Sequence, residues 1–332
     1  MNRILSIALV SALLLASQAV WAADKAPRAL PKGERVWPPV PEAEVEKIQA
    51  ALPDKPQVPP KKPRKLLVFY GKGHSHDAAI PVWNKMLELL GEKTGAYQAT
   101  LSQNYDALEG ERLKGFDAVF FNNTNGNTYP EAVKTDLPQF VRSGKGLAGN
   151  HGSGCHDSYA DKNDKWWEKK WPECWKMRWP EGLEMVSASM VSHPFGGHQV
   201  KIDDPQSPLT AVFGGKGFRF SDEMYLFKEP YSREKLRVLL SIDYPNSPDV
   251  QKREESARKK GGEAQAHGMR DDHDYAIAWI RPWGQGRVFY CSYGHEKRVA
   301  WDSAIVRFFL AGIQYALGDL KADDTPVGAA KK

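Results

Sequence analysis

One histidine of this chain sits between glycines where a strand should end, in Gly149-Asn150-His151-Gly152-Ser153-Gly154, directly after the apolar Gly146-Leu147-Ala148. In α/β enzymes a turn of this kind lifts one side chain above the carboxyl edge of the sheet, and a Ser or Cys in that place is a nucleophile. Imidazole serves better as base, acid or metal ligand, so the residue type points to chemistry other than acyl transfer. Similar groups follow other apolar runs. His74 and His76 come after Lys65–Tyr70, Asn122, Asn123 and Asn125 after Asp117–Phe121, and His295 after Gly286–Tyr293. A lone histidine is usually a structural hydrogen bonder. Four clusters at four strand ends point instead to a site, because open α/β sheets bind ligands outside the carboxyl ends of their strands.

A carboxylate completes the set. In Phe218-Arg219-Phe220-Ser221-Asp222-Glu223, period-two alternation places Asp222 with the phenylalanines and Glu223 on the open face. Glu223 is then a site acid or one half of an ordinary salt bridge. The candidate catalytic residues are His151, His295, Glu223, His74 and His76. Candidate substrate contacts are Asn122, Asn123, Asn125, His198 after Gly196-Gly197, and Trp171 and Trp175. His193, before Pro194, is a further candidate. Imidazole suits transition metals, and His74, His76 and His151 with a water would make a catalytic site for a divalent ion such as zinc. No His-Glu-x-x-His is present, so plain acid–base chemistry stays open beside metal binding.

The elements that must hold these groups read as α/β. Buried strands are expected at Lys65–Tyr70, Asp117–Phe121 and Gly146–Gly149, with a short one at Tyr97–Leu101. Helical spacing marks Ile80–Thr94, Glu131–Ser143 and Asp302–Leu317. The order predicts a largely parallel central sheet with helices on both faces. Later strands are expected at Gln199–Ile202, Phe218–Phe227, Arg237–Ile242, Tyr275–Arg281 and Gly286–Tyr293. Residues 155–198 form a Trp-rich insertion. Trp171, Trp175 and Trp179 recur every four residues, which suits stacking on sugar rings or a self-packed aromatic cluster.

The ends read differently. Arg3, the apolar Ile4–Ala16 and Val20-Trp21-Ala22 form a secretory signal cut after Ala22, so residues 1–22 leave and the protein is expected in the periplasm or outside the cell. Residues 23–64 are a Pro-rich arm, expected to be extended or poorly ordered apart from a short helix at Glu42–Leu52. The domain proper covers 65–320, with 321–332 a flexible tail. A net charge of +5, spread rather than striped, argues against nucleic acid, and no segment after the signal is apolar enough for stable membrane insertion. Of the three cysteines, Cys291 lies in an apolar run and reads as a buried thiol, while Cys155 and Cys174 stand close enough in sequence to pair in an oxidising compartment. The oligomeric state leaves no mark in the sequence.

Five stretches together resemble the ThuA-like (trehalose utilisation) family. They are Gly73-His74-Ser75-His76-Asp77, Gly146–Gly152, Gly196-Gly197-His198-Gln199, Asp222-Glu223-Met224-Tyr225, and Ala278-Trp279-Ile280-Arg281 running through Gly286-Arg287-Val288-Phe289-Tyr290 to Gly294-His295. The resemblance implies a fold similar to class I glutamine amidotransferases and flavodoxin-like proteins. Those amidotransferases carry a nucleophilic Cys at the turn; here His151 stands there and Cys155 comes four residues late, so glutaminase activity is not expected. The family is linked to catabolism of trehalose and related disaccharides, including 3-keto sugars. The resemblance therefore implies a saccharide-processing enzyme, with a non-catalytic saccharide-binding or partner-binding module on the same fold as the alternative. The chain departs from the family in having Ser207-Pro208 where His-Pro is usual, and in its Trp-rich insertion.

Overall fold

The computed structural model describes residues 35–71, 76, 78–154, 178–193, 196–260 and 269–328, with the side chains of 191, 196 and 260 left aside. His74, Trp171, Trp175, Cys155, Cys174 and the signal segment lie outside the described residues. The description below concerns the unit Trp37–Lys332.

The first half builds a parallel sheet. Strands β1 (Lys65–Phe69), β2 (Gln98–Ser102), β3 (Ala118–Asn122) and β4 (Gly146–Asn150) stand in the order β2-β1-β3-β4 and all run the same way. Alternation sends their side chains to two cores. Leu66, Val68 and Phe120 pack with Trp83 and Met86 of α2 (Ile80–Thr94) and with Phe308 and Phe309 of α7 (Ser303–Ala316). Leu67, Phe69, Val119 and Phe121 pack on the other side with Val133, Leu137 and Val141 of α4 (Glu131–Arg142) and Met185 of α5 (Pro180–Val186). A short α3 (Gly110–Lys114) lies between β2 and β3. Close packing decides the small residues of β4 and α7: a Cβ on Gly146 would sit 2.0 Å from the Ala316 carbonyl oxygen.

The second half continues the same sheet antiparallel. β11 (Gly286–Cys291) joins β4 in parallel, and then β10 (Ala276–Trp283), β9 (Arg237–Ile242), β6 (Gly196–Ile202) and β7 (Phe218–Asp222) follow, each reversed on its neighbour. Four reversals return β7 to the direction of the parallel set, so its carboxyl end faces the same edge as theirs. The expected single strand 218–227 is two: β7 stops at Asp222, and β8 (Leu226–Lys228) pairs with β5 (Ser189–Ser192) in a separate two-stranded sheet. Helix α6 (Pro248–Lys260) carries the charged run.

Two terminal segments are better held than their composition suggests. Helix α1 (Glu42–Ala51) buries Ile48, and Leu52 follows it into the core. The Pro-rich stretch after it is pinned by backbone bonds: Gln57 and Val58 N–H donate to Gln314 Oε1, and Gln314 Nε2 returns one to the Val58 carbonyl. Arg64 forks onto the buried Asp319 carboxylate. Proline-rich backbone has few donors, so the side chains of α7 and its C-terminal turn supply the partners. Past Leu320, Tyr315 Oη donates to Asp324 at 2.6 Å and Arg237 to Asp323 at 3.2 Å. No helix among the described residues is long and apolar enough to cross a membrane.

Candidate functional site at the carboxyl edge

The site is assembled by strand ends. β4 ends at Asn150, and His151 follows with φ 31°, a left-handed backbone that a side chain rarely adopts. Its main-chain oxygen accepts from Tyr290 Oη at 2.8 Å, and Gly152 N–H donates to Asn123 Oδ1 at 3.2 Å, so the strained turn is held at both ends. The turn has no room for larger residues. A Cβ on Gly152 would lie 2.8 Å from Asn125 Oδ1, and one on Gly154 2.5 Å from Tyr290 Oη.

His151 is fully buried and its ring lies 4.0 Å, centre to centre, from Tyr225. Its Nδ1 faces the Ser292 carbonyl oxygen at 2.9 Å. That oxygen can only accept, so Nδ1 carries the proton and Nε2 presents a lone pair. His76, carried just past the end of β1, stands edge-on to it with Nε2 to Nε2 at 3.1 Å. His76 Nδ1 in turn faces Asn125 Oδ1 at 2.8 Å, with the amide placed oxygen-first toward the ring. Burial, reinforced by His151, pushes the His76 imidazole down to about 3 and keeps it neutral.

Glu223 closes the arrangement. Its carboxylate meets His295 Nε2 at 2.9 Å, His151 Nε2 at 3.7 Å and, on its other oxygen, His193. Burial alone would raise this carboxyl, but the hydrogen bonds from His193 and His295 outweigh it and hold it far below the usual carboxylate range. The bond to Glu223 likewise raises the His295 imidazole above its ordinary value, against the opposing effect of burial. The His295 ring is 5.1 Å from that of His76, and its side chain is 35% exposed, between the buried His76 and His151 and the more open His193. Among the described residues, His76, His151 and Glu223 form the group able to hold a metal ion, their ligand atoms all within 4.8 Å of one another.

The carboxylate reaches this edge through an overhang. Pairing of β6 with β9 begins at Val200, whereas β6 pairs with β7 out to Gly196 and Asp222. The end of this hairpin is therefore free of β9 and reaches the loop after β11. There the buried Asp222 accepts from the Gly294, His295 and Glu296 N–H groups at 2.6, 3.3 and 2.9 Å. Asp222 thus fixes the backbone that carries His295, opposite its neighbour Glu223. The sequence reading missed this role, and also that of Tyr225. The available signal was a carboxylate on an apolar face, which has to be satisfied by buried donors.

Other expected residues are placed differently. Asn122 and Asn123 are fully buried and bonded to the chain itself: Asn122 Nδ2 donates to the Ile80 carbonyl and Asn84 Oδ1, and Asn123 Nδ2 to Asn122 Oδ1 and the Gly294 carbonyl. With Asn150, whose Oδ1 accepts from Asn123 N–H at 2.8 Å, they make a scaffold under the turns rather than a surface for sugar hydroxyls. Asn125 touches the cluster, holding His76. His198 stands apart: it lies on β6 opposite Phe220, buried, with Nε2 2.8 Å from Tyr293 Oη. Cys291 is a fully buried thiol whose pKa burial pushes up, as an inert core residue requires.

A mixed sheet with a parallel core, helices on both faces and a histidine on the glycine-flanked turn define an α/β protein with its candidate site at the carboxyl edge. Residues 65–316 match the ThuA family, described as trehalose utilisation, and the chain belongs to that family. A ThuA-like protein from Bacteroides uniformis has the same fold, with a TM-score of 0.57 at 18% identity over 79% of this chain and 94% of its own. One from Parabacteroides merdae aligns with a TM-score of 0.49 at 13% identity, over 82% and 98%. No curated protein matches the chain. Membership supports a carbohydrate-related role in broad terms.

Proposed function

We propose that the chain is an exported enzyme of carbohydrate catabolism acting on a disaccharide or keto-sugar glycoside at the His–Glu cluster. The observation that carries this reading is the convergence of His76, His151, Glu223 and His295, from four separate strand ends, in a chain of contacts of 3.1, 3.7 and 2.9 Å. A core has no need to bring three imidazoles onto one carboxylate around a strained turn; proton transfer does.

The parts suggest roles. Glu223 holds His295 through Nε2, so Nδ1 of that partly exposed imidazole, 3.9 Å from the Glu296 carboxylate, is the nitrogen that exchanges a proton with the sugar. The buried His76–His151 pair sets the wall opposite. On a 3-keto glycoside, His295 Nδ1 takes the proton from the carbon between the keto and anomeric centres; the electron pair of that C–H bond forms the new double bond and expels the glycosidic oxygen. That oxygen takes the same proton back from the His295 imidazolium, which Glu223 stabilises through Nε2, so the site ends with the protons it began with. Export rests on Arg3 and the apolar run behind it.

The test is incubation of the purified full chain with trehalose, other disaccharides and their 3-keto derivatives, followed by product analysis. Consumption of one of them, reduced at least about 10²-fold in His295→Ala with unchanged melting, supports the proposal. Saccharide binding with no turnover reduces the protein to a binding module. Neither binding nor turnover overturns the reading altogether.

A further inference from the structure

We infer that His76 Nε2, His151 Nε2 and the Glu223 carboxylate form a binding site for one divalent transition-metal ion of the zinc type.

Each of the two buried rings has its Nδ1 opposite an oxygen that accepts: Ser292 O at 2.9 Å for His151 and Asn125 Oδ1 at 2.8 Å for His76. This is how metal-bound histidines are held, with the remote nitrogen donating to a carbonyl so that the near one is a fixed, basic ligand. The consequence is that two Nε2 lone pairs point at each other across 3.1 Å, both nearly or fully out of solvent. Two such lone pairs repel unless a cation lies between them, and burying them without one is costly.

The geometry favours a metal ion over a shared proton. Zinc–nitrogen bonds of about 2.0–2.1 Å at a tetrahedral angle put two ligand nitrogens about 3.3 Å apart. The His pair needs only a few tenths of an ångström to meet that. Glu223 Oε2 stands 3.7 Å from His151 Nε2, and all three ligand atoms lie within 4.8 Å, close enough for a common ion with a small rotation. Two imidazoles and one carboxylate are the ligand set of several catalytic zinc sites, with the fourth position left for water or substrate. Here the fourth position faces the more open side, where His295 stands beside Glu223. The set differs from the expected His74, His76 and His151: Glu223, brought in by the hairpin overhang, is the third ligand. The metal's use in sugar chemistry rests on the function proposed above; its binding does not.

The experiment uses the full chain, purified without a His tag, stripped with a chelator and dialysed. Zn²⁺ is titrated by calorimetry and Co²⁺ by visible absorption, with elemental analysis for stoichiometry. One ion per chain is expected, with Co²⁺ giving the strong visible bands of a four- or five-coordinate site. His151→Ala and Glu223→Gln should each weaken binding at least 100-fold, while His273→Gln, at a half-buried histidine stacked on Tyr244 outside the cluster, should bind like the parent. The parent titration stands even if a variant fails to fold: no Zn²⁺ or Co²⁺ bound tighter than 100 µM overturns the inference. Binding that persists in both cluster variants also overturns it, since the ion then sits elsewhere. Saccharide turnover by a chain that binds no ion sinks the metal site and leaves the enzymatic reading standing; ion binding without turnover does the reverse.

Discussion

Replacing Asp222 by Asn tests whether the end of β7 positions His295. The carboxylate accepts three backbone N–H groups, Oδ2 from Gly294 and His295 and Oδ1 from Glu296, and the residue is only 3% exposed. An amide keeps one accepting oxygen. In its better orientation that oxygen serves Gly294 and His295, and the new NH2 faces the Glu296 N–H, donor to donor. One charge-assisted bond worth about 1.5–3 kcal/mol is lost, and the bonds that stay become neutral ones of about 1 kcal/mol. Relief comes from removing a buried charge, since burial raises the Asp222 carboxyl against the pull of the backbone donors. The net expectation is a loss of about 2–3 kcal/mol. For a domain of this size that is a fall in Tm of roughly 4–12 °C. Urea denaturation gives the free energy and scanning calorimetry the Tm. The turn carrying His295 is held less firmly to the hairpin carrying Glu223, so any saccharide turnover should fall with it, with kcat affected more than KM. An Asn variant within about 0.5 kcal/mol of the parent, with undiminished turnover, would refute the positioning role.

Two further outcomes follow from the same geometry. Gly152→Ala puts a methyl group 2.8 Å from Asn125 Oδ1 and 3.1 Å from the Asn123 backbone, so Asn125 must move and release His76; the expected cost is about 1–3 kcal/mol, with weaker Zn²⁺ binding, and a variant equal to the parent in both would mean the turn is looser than drawn. Asp117 is held below its ordinary pKa: burial raises it, but Lys62 at 2.7 Å and the Lys65 N–H at 3.0 Å more than offset this. Because the folded value is the lower one, its stabilisation is present above the unfolded pKa of about 3.9 and disappears as pH falls through the folded value. The stability gap between parent and Asp117→Asn, measured in urea, should therefore be full at pH 7 and shrink below about pH 4; a gap constant down to pH 3 would count against the pairing.

Much of this molecule is readable from local pattern. Apolar runs such as Leu66–Phe69 and Ala118–Phe121 are buried on both faces, so they announce parallel strands without any partner being known. The 3.6-residue spacing in 80–94 and 303–316 marks α2 and α7 for the same reason, and a histidine flanked by glycines after a strand marks a turn at the edge of the sheet. Even the outward turn of Glu223 and the burial of Asp222 follow from alternation along one strand. These are consequences of the chain's own geometry, and a few consecutive residues contain them.

Tertiary structure decided which groups meet. Gly294 and Asp222 are 72 positions apart, His151 and His76 75, and Gln57 and Gln314 257, and no periodicity links such residues. The asparagines after β3 became scaffold because the neighbouring turns, including the one carrying His151, needed buried partners for their backbone. His198 left the cluster because β6 turns it toward Tyr293. The Pro-rich segment gained a place because Gln314 in the last turn of α7 and Asp319 just past it have buried side chains that take its backbone donors. Residue types and spacing determine what chemistry a strand end can offer. Whether several strand ends offer it to one point depends on register, overhang and packing, which only the folded sheet specifies.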